Sequence, residues 1–158
     1  MPLIVPAPRE SFDIELADGT KIKMRRYGNS GGVRLLLSHG NGFAIDAYLP
    51  FWQLLLAKYD VLVFDFRNHG QNLPTQPSNH NYAQFARDLN AILDAVHLRM
   101  GQKTIAGIFH SMSARAAMKH AIEDLIHDVY GIVDVRSQAK VGARVSPSPA
   151  SSSHPKDR

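Results

Sequence analysis

The stretch Ile108-Phe109-His110-Ser111-Met112-Ser113-Ala114 decides the architecture, because the residue pattern changes period in the middle of it. Lys103 to Phe109 reads as a short strand, whereas residues 112–127 offer Ala114, Ala117, Met118, Ala121 and Leu125 for close helix packing. A strand that passes into a helix with no loop between them leaves a sharp corner, and Ser111 stands on it.

Upstream of this corner the same alternation repeats. Asn81 with Gln84 three residues on resembles a capping box, and Phe85, Leu89, Ile92, Leu93, Val96 and Met100 trace one face of a long helix that stops at Gly101. Asp60-Val-Leu-Val-Phe-Asp65 is the clearest strand, and residues 67–80, rich in Asn, Gln, Pro and His, form an irregular connection. Trp52, Leu55, Leu56 and Tyr59 predict a helix from about Leu49 to Lys58, with Pro50 tolerated in its first turn. Val33 to Ser38 is an apolar run of the kind buried inside a sheet. Ser11–Leu16 and Lys21–Tyr27 flank Ala17-Asp18-Gly19-Thr20 and predict an antiparallel hairpin. Strand and helix in alternation give an α/β fold, a predominantly parallel sheet with flanking helices. About six strands are expected, counting a weak one over Val129–Val135, in a unit spanning residues 1–135. Beyond it, residues 136–158 are rich in serine and proline and predict a disordered tail.

The corner also suggests chemistry. A serine hydroxyl is a weak nucleophile, and a sharp exposed turn lets a base and oxyanion donors converge on its Oγ. The helix that starts just after it adds unpaired N–H groups, that of Met112 foremost. Ser38-His-Gly-Asn-Gly-Phe43 closes the earlier strand with a loop whose glycines can turn an amide inward; Asn41 N–H is the second donor, with Gly42 as the alternative.

These two motifs, with Asp65-Phe-Arg-Asn-His-Gly70 after the next strand, make the sequence resemble the α/β-hydrolase superfamily over roughly residues 12–125. The resemblance implies hydrolysis of ester or related acyl bonds of a small molecule by a serine nucleophile, without metal or organic cofactor. A serine at the corner also argues against haloalkane dehalogenase and epoxide hydrolase chemistry, for which the superfamily uses an aspartate there. The usual G-x-S-x-G becomes Phe109-His-Ser111-Met-Ser113, so Phe109 stands where a glycine is expected. Ser113 is the competing nucleophile, less suitable because Arg115 would then flank it on the helix side.

In the family, the acid and then the histidine follow the nucleophile along the chain. After Ser111 the sequence offers Asp134 as the candidate acid, while His120, His127 and His154 lack the right context for a base. The sequence thus reads as a C-terminally truncated hydrolase, of low activity or none. A non-catalytic binding or self-associating protein, recruiting a partner through an open sheet edge, is the alternative, and a complete small hydrolase built on Asp134 is a third reading. His110, His39, His69 and Arg67 read as structural or pocket residues rather than proton carriers.

Composition narrows the remaining classes. With 44% hydrophobic and 20% charged residues the chain fits a globular protein. Its formal charge of +4 sits in the tail, and the body up to residue 135 is balanced, so nucleic-acid binding is not expected. Lys21, Lys23, Arg25 and Arg26 read as the solvent face of a strand. The absence of cysteine excludes disulfides and thiolate metal sites. No run reaches the ~18 apolar residues of a membrane span, and the N-terminus lacks a basic leader region, so a cytoplasmic location is expected.

Overall fold

Asp18 and Gly19 close the predicted hairpin: Gly19 takes φ 80°, and Asp18 Oδ1 accepts the Thr20 N–H at 3.1 Å. The strands it joins are β1 (Glu10–Glu15) and β2 (Lys21–Gly28), paired antiparallel with Ile14 opposite Ile22. This is a computed structural model, and it describes residues 4–75 and 79–130. Three further strands, β3 (Arg34–Ser38), β4 (Asp60–Phe64) and β5 (Ile105–Phe109), complete a sheet of order β1-β2-β4-β3-β5. β2 and β4 are antiparallel, whereas β3 is parallel to both β4 and β5.

Alternation along the central strands divides the core into two layers. Leu36, Leu62 and Phe64 face Phe85, Leu89, Ile92 and Val96 of α2 (Tyr82–Met100), together with Met112 and Ala116 of α3 (Met112–Tyr130). Leu35, Leu37, Val61 and Val63 face the other way, onto Ile45, Leu49 and Trp52. Each large side chain buried in this way contributes about 1.5–3 kcal/mol.

Several expectations are corrected in detail. The helix expected over residues 49–58 is a broken segment, with a 3-10 turn at Ile45–Tyr48, a single α turn at Leu49–Trp52 (α1) and another 3-10 turn at Gln53–Leu55. Its end is pinned to the β2–β3 connection, where Asn29 N–H donates to Tyr59 O at 2.8 Å and Gly28 and Gly32 allow backbone to approach backbone. The capping box is half made: Asn81 Oδ1 accepts the Gln84 N–H at 2.9 Å, but the Gln84 side chain donates to Asp88 instead of reaching back. α3 turns inward a face that only partly matches the expected one: Ala117 packs against the core as expected, but Met112, Ser113 and Ala116 are the buried residues and Met118 and Ala121 are exposed, because the corner at Ser111 sets its phase. Arg25 is buried rather than solvated, with Nη2 2.7 Å from Asp46 and 3.9 Å from Asp65. The first two residues of the weak strand expected at 129–135 belong to α3, and the rest, with Asp134 and the tail 136–158, lie outside the described residues.

Among the described residues β5 is the last strand of the sheet and is hydrogen-bonded on the β3 side only, with Ala106 and Gly107 exposed. Among the described residues no helix is long and apolar enough to cross a membrane.

Candidate active site

The β5–α3 corner has the strained backbone that its sequence predicts. Ser111 takes φ 51°, a left-handed value that a residue with a Cβ adopts at a cost of about 1–3 kcal/mol, and its side chain is exposed. The corner is held from both sides. Ser111 O accepts the Arg115 N–H at 2.9 Å, and the Ser113 hydroxyl accepts from His110 N–H at 2.9 Å while donating to His110 O at 3.0 Å. Ser113 is therefore fully buried and occupied by backbone. Phe109 is accommodated by Gly107, where any Cβ would run into the Phe109 ring, so the ring folds along its own strand and packs against the core.

The His39–Gly42 loop lies directly against this corner. A Cβ on Gly40 would come within 2.8 Å of His110 Nδ1 and 3.4 Å of Ser111 Cβ, so only glycine fits. His39 is fully buried: Nε2 accepts the Phe66 N–H at 3.0 Å, which leaves the ring proton on Nδ1 to donate to Gly40 O at 2.8 Å. Burial holds this imidazole below the ordinary histidine value, outweighing the Gly40 carbonyl and the Asp65 carboxylate, which act the other way. Gly40 N–H donates to Tyr48 Oη at 3.2 Å, and Gly42 N–H donates to His69 Nε2 at 3.3 Å. Among the described residues no acceptor stands opposite the Asn41 N–H between them.

A second corner, after β4, supports the loop from below. Asp65 Oδ1 accepts the Ile45 N–H at 2.6 Å, and its carboxylate fills the space where a Cβ on Gly70 would lie. Arg67 is fully buried, bidentate to Asp88 at 2.6 and 2.7 Å, with a third nitrogen 2.8 Å from Asp18. That guanidinium holds the Asp18 carboxyl well below the usual carboxylate range. His39, His69 and His80 lie in a row, with His39 tilted against His69 at 4.7 Å between centroids and His69 stacked on His80 at 5.4 Å.

The structure thus brings together Ser111, Met112 and the Asn41 loop, whereas Asp134 lies outside the described residues. Among those residues no histidine hydrogen-bonds to Ser111 Oγ. Sequence reasoning missed Tyr48 and Asn72. Asn72 Oδ1 accepts the Lys23 N–H at 3.0 Å and Nδ2 donates to Phe66 O at 3.2 Å, so its side chain continues the β2–β4 ladder where β4 has ended. No spacing pattern signals either residue.

Residues 35–155 match the model of the alpha/beta hydrolase family. The chain belongs to that family. An uncharacterized hydrolase of Bacillus subtilis, YugF, is 28% identical over 109 residues, covering 67% of this chain and 37% of its own. An esterase from Exiguobacterium antarcticum superposes with a TM-score of 0.61 at 21% identity, covering 72% of this chain and 40% of the esterase. The epoxide hydrolase VrEH1 of Vigna radiata gives 0.60 at 18% identity, covering 72% of this chain and 35% of its own. These likenesses show the shared fold, and enzymes of different chemistry carry it. This hydrolase-family chain spans less than half the length of those relatives.

Proposed function

We propose that the site hydrolyses esters or related acyl bonds of small molecules, with Ser111 as nucleophile and the N–H groups of Met112 and Asn41 as oxyanion donors. The observation that carries this reading is the strained, exposed Ser111 seated on Gly40 of the loop that holds Asn41. Oγ would attack the acyl carbon, the carbonyl oxygen would gather charge against the two amides, and the bond to the alkoxy group would break as the alcohol leaves with the proton given up by the Ser111 hydroxyl. Water would then release the acid. Asn41 is preferred to Gly42 because its neighbours' amides are committed, Gly40 to Tyr48 and Gly42 to His69. Ser113 is set aside because its hydroxyl is buried in backbone hydrogen bonds.

With no histidine on Ser111 Oγ among the described residues, acylation by an activated probe should far exceed turnover. Loss of a triad base removes several orders of magnitude of rate, and binding with the oxyanion donors leaves about 10³–10⁴ over water. The test is labelling of the full chain by a fluorophosphonate and hydrolysis of short-chain p-nitrophenyl esters, beside Ser111→Ala. Labelling confined to the wild-type chain is expected, and equal labelling of both would overturn the assignment.

A second reading, self-association without catalysis, is favoured by one observation: among the described residues β5 pairs only with β3, and Ala106 and Gly107 on it are exposed. It expects a defined dimer in light scattering, and a monomer would count against it.

A further inference from the structure

We infer that Tyr48 is a positioning residue that locks the oxyanion loop to the nucleophile corner; the inference rests on the reading of Ser111 and Asn41 given above. The phenol stands between the Gly40 loop and the Ser111 corner, bridging Gly40 to His110, a residue 62 positions from Tyr48 in sequence. Because the Gly40 N–H can only donate, Tyr48 Oη is its acceptor at 3.2 Å, which leaves the phenolic proton for His110 Nδ1 at 2.8 Å.

Two consequences follow from the geometry. The Tyr48 bond fixes the His39–Gly40 peptide, and the His39 ring holds the next carbonyl, Gly40 O, at 2.8 Å. The Gly40–Asn41 peptide carries that carbonyl and the Asn41 N–H together, so orienting its oxygen orients the amide as well. The bond to His110 also fixes the residue immediately before Ser111, so loop and nucleophile move as one body rather than two. The Tyr48 ring is itself held, edge-on to Phe43 with centroids 6.3 Å apart and tilted against His110 at 5.7 Å. Oxyanion donors are effective only when they are in place before charge develops, and a loop free to rotate its peptide would lose that advantage.

Tyr48→Phe removes the hydroxyl while keeping the ring. The expected result in the full chain is amide exchange at Gly40 faster by about tenfold, with Leu36 in the sheet unchanged, and fluorophosphonate labelling of Ser111 slower by about tenfold. The melting temperature should fall by no more than about 6 °C, which leaves the chain folded where labelling is read, so the slowed labelling is not a loss of folded protein. Unchanged Gly40 exchange would overturn the inference, as would faster exchange with labelling undiminished. Wild-type labelling no greater than that of Ser111→Ala would instead remove the nucleophile reading, and the positioning role with it, even where the exchange data show the bond.

Discussion

Two corners leave parallel strands of this sheet, and both place a residue other than glycine in the left-handed region: Asn68 at φ 63° after β4, and Ser111 at φ 51° after β5. At the first, the strain is answered locally, because Asn68 Oδ1 accepts from Thr75 N–H at 2.6 Å and from the Thr75 hydroxyl at 3.0 Å. Around it Asp65, Arg67 and Asn72 are buried and saturated with partners. At the second, Ser111 Oγ has no partner among the described residues and faces outward. The difference separates strain spent on holding structure together from strain that leaves a hydroxyl available. Only the second is what a nucleophile needs.

The contrast can be broken most severely at Arg67. Replacing it with methionine leaves Asp88 buried and uncompensated, and should lower unfolding free energy by about 3–5 kcal/mol, read as a reduced urea midpoint. Next in size, Asn68→Ala keeps the unfavourable φ and removes the Thr75 bonds. A loss of about 1–2 kcal/mol is expected, and a neutral result would show that the β4 corner does not depend on its side-chain partners.

Acidification acts on the same corner through His39. Its folded-state pKa is depressed by burial, so the unfolded chain binds more protons as pH falls through and below the ordinary histidine value of 6.5. Stability is therefore full above that value and declines beneath it. Thermal melts at pH 7 and pH 5 should show a lower melting temperature at pH 5, and a flat profile would mean that His39 is not held neutral.

The smallest stability effect should come from the β5 corner, where the proposed nucleophile stands. Ser111→Gly relieves the backbone and is expected to stabilise by up to about 1 kcal/mol while abolishing labelling. A destabilised Ser111→Gly chain would show that the two corners do the same structural work.

Much of the fold was legible because its signals are local. The Asp18-Gly19 turn, the Asn81 cap and the stop at Gly101, which takes φ 77°, depend on the conformational preferences of one or two residues. The broken segment at residues 45–55 was less legible, since an apolar spacing of 3 and 4 does not distinguish an α-helix from short 3-10 turns pinned at one end. In α3 the spacing of apolar residues pointed to Met118 and Ala121, whereas the corner geometry turned Ser113 and Ala116 inward.

By itself the sequence determined the α/β alternation and the placing of Ser111 on a strand-to-helix corner, because periodicity and turn chemistry act over a few residues. Tertiary structure alone decided that Arg25 is buried beside Asp46 and that the Ser113 hydroxyl is consumed by backbone. It also decided that Tyr48 reaches His110, and that the neighbours of the Asn41 N–H are already committed to Tyr48 and His69. Most of these partners are brought together only when distant strands set their ends side by side, and the rest depend on the turn that α3 takes as it leaves β5. No spacing along the chain encodes that meeting.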